Sequence, residues 1–318
     1  MTTSSQKSGL TRWLDYYKSV KERIHVDSGF FKGAYSVAKI YSYFSAKKLG
    51  RFFKGVAANK TIAFYPQPAG PWYNVWMTAQ ILEMKINQDV DQADYIFVFD
   101  DFTESDSVSG LSVTNLRKAI NHKVTDIGKN NVGELFEEVF GYSITVDPTT
   151  YNGRAVCKSD LNGTHDGVVV DCPIKPEDVR TGYAYQKLVD STFNGKTAED
   201  LRIACTFGEV AAVFHKHKDL DVRFGTTYLS TDVRAAADCF TEQELKLIFV
   251  FCEKIGLDYG AIDVMRDKHD GRIYIVDVNK TCMPVMSLTL KTQIDAQTRV
   301  AQAFQKGLSR IDAARAAS

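Results

Sequence analysis

The sequence predicts an α/β protein, and three observations carry that prediction. In the first half of the chain, short apolar runs of strand length alternate with amphipathic segments of helix length. From Ala155 onward, closely spaced apolar runs separated by turn residues indicate a β-rich region. A final amphipathic segment closes the chain. With 318 residues, the chain is long enough for two or three compact lobes, each with its own core.

The individual elements follow from local pattern and from the positions of glycine and proline. The first 60 residues are expected to be helical, with a break at 29–33 and an end at 50–55. Further helices are predicted at 72–84, 111–122, 132–140, 241–255 and 295–308, the third of them ended by Gly141. Strands are predicted at 61–65, 95–100, 155–158, 167–171, 183–188, 201–207 and 210–216, the last two forming a hairpin that turns at Gly208 and Glu209.

Charge and cysteine content exclude several classes of protein. Basic and acidic residues balance at 39 each, so no overall positive field argues for a nucleic-acid partner. The six cysteines stand singly, without a CxxC motif or a zinc spacing, which favours reduced thiols and a cytoplasmic location. No apolar run approaches the length of a membrane span.

Residues 32–60 form a locally basic segment. They contain seven lysines and arginines and no acidic residue, interleaved with tyrosines and phenylalanines. One interpretation is a helix that contacts a membrane surface or an anionic partner. The alternative is an amphipathic helix that docks through its aromatic side chains and leaves its lysines in water.

The most informative stretch is residues 257–284, which reads as two apolar strands joined by a polar turn at 268–271. The first strand carries Asp263, and the second carries Asp277 and Asn279. Residues two apart on a strand share a face, and a hairpin can bring Asp263 beside them. Such hard oxygen ligands suit one or two Mg²⁺ ions that also hold nucleotide phosphates. The alternative is a surface hairpin with solvated acids, but the apolar flanks favour a buried strand, where carboxylates need partners.

A second constellation lies at residues 155–173. Lys158 ends a strand and is followed by a small polar loop, 159–167, which contains Gly163. Such a loop can lay backbone amides against phosphates, although an Asn-Gly hairpin turn is the commoner explanation of this pattern. The P-loop and Rossmann glycine patterns are both absent.

Basic residues also stand at the ends of the predicted hairpin strands. Arg202 lies at one end, and His215, Lys216, His217 and Lys218 lie at the other, where they could neutralise phosphate charge or form a solvated strand end. The two histidines share a strand face, so they could form a metal pair, but the sequence offers no evident third ligand.

The order of these parts resembles the ATP-grasp superfamily over roughly residues 124–291. In that family, a segment with a lysine, a glycine and a proline precedes the nucleotide site, and Lys129, Gly141 and Pro148 match it. The resemblance implies an ATP-grasp fold of two α+β lobes. Its domains would be a basic helical region (1–60), an α/β domain (61–123), the ATP-grasp domain (124–291) and a C-terminal helix that packs on it (292–318).

The resemblance also implies roles for individual residues. The nucleotide would contact two lysines, the loop 159–167, a hinge strand and a ribose-binding aspartate. These residues are Lys129, Lys158, Ser159, Asn162, Gly163, His165, Gln186, Lys187, Leu188 and Asp190. Asp263, Asp277 and Asn279 match the family's Mg²⁺ ligands, with Mn²⁺ as an alternative ion. Arg202 and Lys216 would stabilise charge during catalysis.

The function implied by the resemblance is an Mg²⁺-ATP-dependent ligase that joins a carboxylate to an amine or thiol through an acyl phosphate. Its partners would be ATP and a small-molecule or peptide acceptor. Two departures leave the acceptor open: the middle metal position is Asp277 where the ligases more often have glutamate, and residues 280–284 replace the usual Pro-Gly turn. Asp-x-Asn is similar to the inositol phosphate kinases of this fold. The alternatives are therefore a kinase acting on a sugar or polyol hydroxyl and a non-catalytic nucleotide-binding protein.

Overall fold

The computed structural model describes residues 28–55, 58, 60–106, 108–164, 166–222 and 228–317, with the backbone alone at 28–32 and 222. The described residues form two compact units, the first within the ranges 1–100, 106–122 and 281–318 and the second within 101–105 and 123–280. Both contain sheets and helices, so the predicted α/β class is confirmed.

The helices and strands have the following bounds. The helices are α1 (Ser28–Phe53), α2 (Asn74–Ile81), α3 (Val113–Leu116), α4 (Lys129–Phe140), α5 (Glu242–Ile255) and α6 (Leu290–Ala316). The strands are β1 (Thr61–Pro66), β2 (Lys85–Asn87), β3 (Tyr95–Phe99), β4 (Ala119–Ile120), β5 (Gly153–Ser159), β6 (Val168–Cys172), β7 (Tyr183–Lys187), β8 (Thr192–Phe193), β9 (Thr197–Thr206), β10 (Glu209–Asp219), β11 (Ser230–Arg234), β12 (Tyr259–Arg266) and β13 (Ile273–Asn279).

The first unit is built on a parallel sheet with the order β2-β1-β3-β4. Helix α6 packs against α2 through buried polar contacts, in which the Gln297 amide donates to the Thr78 hydroxyl at 2.6 Å and to the Asn74 carbonyl at 3.2 Å. The expectation that residues 292–318 also pack on the region 124–291 stays a prediction.

Two predictions in this unit are wrong. Helix α1 runs through Gly33 without the expected break, because a helix tolerates an isolated glycine at a cost of about 1 kcal/mol. Residues 111–122 do not form one helix. Ala119 and Ile120 instead pair with Ile96 and Phe97 as a fourth parallel strand, so tertiary pairing overrides the local pattern.

Helix α1 divides its aromatic residues between the core and the surface. Phe44 is buried with Ile40 and Met77, whereas Tyr35, Phe52 and the other exposed aromatics face outward. The docking interpretation therefore accounts for part of the basic segment, and the contact with an anionic partner stays a prediction. Among the residues described, no helix has an apolar stretch long enough to cross a bilayer.

The second unit contains two antiparallel sheets. The smaller has the order β6-β5-β7, and the larger has the order β11-β10-β9-β12-β13, with β8 added beside β9. Helices α4 and α5 cover one face of the larger sheet, and their buried side chains, Phe136 and Phe251 among them, form one core with Ile203 and Ile262. Gly141 ends α4 in the left-handed region at φ 76°, as predicted.

The predicted acidic hairpin is present as β12 and β13, with Asp263 directly opposite Asp277. The β9–β10 hairpin is present too, but its turn lies one residue earlier than expected. Thr206 pairs with Glu209, so Phe207 and Gly208 form the turn, at φ 47° and 79°. A two-residue hairpin turn with both residues at positive φ matches the twist of its strands.

Candidate functional site

Strand register gathers charged side chains on the face of the larger sheet opposite α4 and α5. Arg202 pairs with Asp263, Asp263 pairs with Asp277, and Asp200 pairs with Lys216. Directly opposed residues of antiparallel strands project to the same face. The intervening residues point the other way, and Leu201, Ile203 and Ile262 among them enter the core.

Arg202 and Asp263 form a bidentate ion pair. The Nε and Nη2 atoms donate to the two carboxylate oxygens at 2.8 and 2.6 Å. Burial works to raise the pKa of Asp263, but the charges of Arg202 and Lys216 hold it well below its usual value. A carboxylate has about four lone-pair sites, of which the guanidinium takes two, so each oxygen can still accept a metal or another donor.

Lys129, Lys158 and Asp277 form a second group. The Lys129 ammonium lies 3.9 Å from Asp277 Oδ1, and the Lys158 ammonium donates to the Val276 carbonyl at 2.8 Å. Burial raises the pKa of Asp277, and the two lysines oppose that shift. Burial lowers the pKa of Lys158 to about 8, although Asp277 works in the opposite direction. The structure therefore brings both predicted nucleotide lysines to the second predicted metal ligand.

Lys216 of β10 faces this charged group. Its ammonium is 3.8 Å from Asp263 and 3.9 Å from Asp200, and the residue is 1% exposed. Burial lowers its pKa, with the two aspartates opposing the shift. His215 and His217, which the sequence could not distinguish from Lys216 as phosphate contacts, lie on the opposite face because side chains alternate along a strand.

Several buried polar atoms in this group have no hydrogen-bond partner among the described residues. They are Asp200 Oδ1, Lys216 Nζ and Asp277 Oδ1. A buried polar group without a partner costs about 1–3 kcal/mol, more when it is charged. The carboxylate oxygens can accept further contacts, and the ammonium groups that face them can donate further hydrogen bonds. Such a set fits a ligand that contains both a cation and anionic groups. The residues present therefore suit a divalent metal with phosphate.

Asn279 lies two residues beyond Asp277 on β13, opposite Ala261, and so shares the face of the two aspartates. Lys218, which the sequence grouped with Lys216, also lies nearby, and its ammonium is 3.6 Å from Asp200. Lys216 and Lys218 are two apart on one strand, as are Asp200 and Arg202, so each pair shares a face.

Two backbone amides of the loop after Lys158 donate hydrogen bonds to side chains of the protein. The Ser159 amide donates to Asp166 Oδ1 at 3.0 Å, and the Asn162 amide donates to the Thr103 hydroxyl at 2.7 Å. These two amides already have partners, whereas Gly163 stands in open space at φ 77°. The expectation that the loop closes over phosphates stays a prediction. His165 lies outside the described residues.

The predicted hinge lies beside the turn between β12 and β13. The Lys187 amide donates to Ile144 O at 2.7 Å and the Leu188 amide to Arg154 O at 3.1 Å, so both already have protein partners. The buried Gln186 side-chain Nε2 has no hydrogen-bond partner among the described residues.

The hinge side chains bind that turn. The Lys187 ammonium lies 2.9 Å from Asp267, and Asp190 pairs with Lys268 at 2.8 Å and with His269 at 3.0 Å. Asp263 and the end of β12 at Arg266 are three residues, or roughly 10 Å, apart. The residues predicted to contact the phosphates and those predicted to contact the ribose therefore lie toward opposite ends of the β12–β13 hairpin.

The Arg202–Asp263 pair gives a stability prediction. Arg202→Ala should lower the free energy of unfolding by about 3 kcal/mol, because it leaves Asp263 half-buried without its bidentate partner. Denaturant titration measures the loss. The matched control is the double variant Arg202→Met/Asp263→Asn, which should recover most of it. Equal stability of Arg202→Ala and the wild-type protein would contradict the importance of the pair.

No family model and no curated protein matches this sequence. Solved structures with a similar course of the chain include D-alanine–D-alanine ligase from Bacillus anthracis complexed with ATP, with a TM-score of 0.47 and 13% identity over 79% of this chain and 98% of that one. Another is the ATP-grasp ligase PsnB complexed with a phosphomimetic precursor variant, Mg and ADP, with a TM-score of 0.45 and 9% identity over 79% and 99%. A third is the macrocyclase MdnC from Microcystis aeruginosa MRC bound with its precursor peptide, with a TM-score of 0.44 and 11% identity over 77% and 99%.

All three TM-scores are below 0.5, so what this protein does has to be argued from its own residues. The chain resembles the ATP-grasp superfamily in the order of its lysines, basic hairpin and Asp-x-Asn strand, and the charged face described above is where those residues meet.

Proposed function

We propose that the charged face of the second unit binds ATP with Mg²⁺ and that the protein is an ATP-dependent ligase. The observation that carries the proposal is the meeting of lysines and aspartates in which buried atoms, Lys216 Nζ and Asp277 Oδ1 above all, have no hydrogen-bond partner among the described residues. Five cationic side chains, Lys129, Lys158, Arg202, Lys216 and Lys218, share this region with three aspartates. That excess of positive charge suits a polyphosphate.

Each residue has a role in this proposal. Lys129 and Lys158 hold the phosphates of the nucleotide, and Arg202 and Lys216 stabilise charge on the phosphoryl group as it is transferred. Asp263, Asp277 and Asn279 would hold Mg²⁺, which when bound neutralises phosphate charge. Gln186, Lys187, Leu188 and Asp190 are assigned to the adenine and ribose.

The proposed reaction has two steps. A carboxylate oxygen of the acceptor attacks the γ-phosphorus, which forms an acyl phosphate and releases ADP. An amine or thiol then attacks the acyl carbon, and inorganic phosphate leaves. The acceptor is a small molecule or a peptide, and its identity is open.

The outcome of ATP turnover separates this proposal from a kinase. Incubation with Mg²⁺-ATP and a metabolite or peptide pool should release ADP and inorganic phosphate in equal amounts and consume an amine or thiol. Phosphate retained on a hydroxyl product would show a kinase instead, which is the alternative based on the Asp-x-Asn pattern. Binding of ATP without any turnover in such pools would overturn the ligase assignment.

The pKa of Lys158 gives a prediction of pH dependence. Because burial lowers this pKa to about 8, the ammonium is charged at neutral pH and loses its proton as the pH rises through that value. ATP affinity should therefore fall above about pH 8, by up to about tenfold per pH unit, since binding must then take up a proton.

Calorimetric titration between about pH 7 and pH 9.5 measures this dependence. The matched control is Lys158→Arg, whose side chain stays charged and should give a flat profile over that range. The same decline in both proteins would show that another group is responsible.

A further inference from the structure

Strand β10 carries a second cluster on the face away from Lys216. His215 and His217 project there together, with ring centroids 4.4 Å apart. Glu199 of β9 stands opposite His217 in the register, and its Oε1 lies 2.7 Å from His215 Nε2. The pairing of β9 with β10 therefore supplies the third ligand that the sequence did not reveal.

The geometry of this cluster fits a transition-metal ion. One ligand atom from each of Glu199, His215 and His217 can be chosen so that all three lie within 4.8 Å of one another. In a tetrahedral zinc site with bonds of about 2.0–2.2 Å, ligand atoms stand about 3.3 Å apart. Small rotations of the half-buried Glu199 and His217 side chains would bring the three ligand atoms to that spacing.

A fourth residue lies beside the buried histidine. Asp232 of β11 lies opposite His215, and its Oδ1 is 3.3 Å from His215 Nδ1, although the two atoms do not meet hydrogen-bond geometry. Its other oxygen accepts a hydrogen bond from Arg234 Nε at 2.6 Å, which fixes the carboxylate. Metal-binding histidines commonly direct their second ring nitrogen at such a carboxylate, which orients the ring.

The side chains of this cluster differ in how far they are exposed to solvent. The His215 side chain is 4% exposed, whereas that of Glu199 is 34% exposed. The ring of Phe193 stands 5.2 Å from that of His217. A metal on these residues would have three protein ligands and a fourth position open toward solvent.

We propose that Glu199, His215 and His217 bind a Zn²⁺ ion on the face of the sheet opposite the nucleotide site, with Asp232 orienting His215. Two imidazoles and one carboxylate are a ligand set that zinc accepts with an open fourth position, and imidazole favours such metals over Mg²⁺. The proposal does not depend on ATP binding, because the two sets of residues lie on opposite faces.

The test is calorimetric titration of the chelator-treated protein with Zn²⁺. A single equivalent should bind. His217→Ala and Glu199→Gln should weaken binding by more than about 100-fold, because loss of an outer partner alone costs about 10- to 100-fold. Asp232→Asn, which removes that outer partner, should weaken zinc binding by about 10- to 100-fold. Melting curves without metal verify that each variant is folded.

Two variants serve as matched controls. His269→Ala removes a histidine that also contacts a carboxylate, Asp190, but has no third ligand among the described residues. This variant should bind zinc as the wild-type protein does. Asp277→Asn alters the candidate Mg²⁺ ligands and should also bind zinc normally.

Titration with Co²⁺ distinguishes the cluster from the six cysteines. The bound ion should show d–d absorption of a tetrahedral site without a thiolate charge-transfer band. Absence of binding, a thiolate band, or zinc affinity that His217→Ala leaves intact would each overturn the proposal.

Discussion

Replacing Asp277 by asparagine is expected to abolish Mg²⁺-dependent ATP turnover without destabilising the protein. Loss of a metal ligand removes several kcal/mol of charge stabilisation in the transition state, and about 1.4 kcal/mol corresponds to a tenfold change in rate. A fall of about three orders of magnitude should follow. Steady-state assays of ADP release measure it.

The stability half of this prediction follows from the raised pKa of Asp277. Burial raises that pKa, with Lys158 and Lys129 opposing the shift, so the folded protein binds this proton more tightly than the unfolded chain. Stability from this group is therefore present below the usual aspartate pKa and is lost as pH rises through the raised value. Above that value the ionised carboxylate costs stability, and asparagine removes that cost.

The matched control for Asp277→Asn is Asp171→Asn, an exposed aspartate on β6 of the same unit, which should leave turnover unchanged. Full Mg²⁺-dependent activity of Asp277→Asn would remove this residue from the metal site. A large drop in its melting temperature would show that Asp277 has a structural role instead.

Lys216→Met is expected to lower kcat for ATP turnover by about 10²–10³, with little change in the KM for ATP. A charge contact made mainly in the transition state affects kcat rather than substrate binding. Methionine resembles the lysine stem in shape, and it removes a buried ammonium that has no hydrogen-bond partner among the described residues. That gain is offset by the loss of its ion pairs with Asp263 and Asp200, so the free energy of unfolding should change little.

Lys246→Met is the control for this variant, because Lys246 lies exposed on α5, on the other side of the sheet. Its kcat should equal that of the wild-type protein. If Lys216→Met kept the same kcat as this control, Lys216 would be a structural residue and the mechanism would lose this charge stabiliser.

The acidic hairpin could be predicted from sequence because its information is local. Alternating apolar residues, a polar turn and two aspartates at matching positions fix both the strands and their shared face. Helix α4 was likewise readable from an amphipathic run that ends at Gly141. In each case the signal lies within about fifteen residues, where side-chain periodicity is decisive.

Features that depend on pairing between distant segments were not predictable. Ala119 and Ile120 form a strand because β3 is beside them, although the local pattern favours a helix. The Glu199–His215–His217 cluster depends on the register of β9 against β10, and a shift of one residue would turn Glu199 to the other face. The polar strand β11, which supplies Asp232, gave no apolar signal at all.

The central claim is that the charged face of the second unit binds ATP, and the most direct test is the thermal midpoint of the protein with and without Mg²⁺-ATP. At a nucleotide concentration of about 100 times the dissociation constant, binding should stabilise the folded state by about 2.7 kcal/mol and raise the midpoint. Lys158→Ala and Lys129→Ala should lose most of that rise, and GTP should give less than ATP. A midpoint that no nucleotide raises, or a rise that both lysine variants retain in full, would contradict the account.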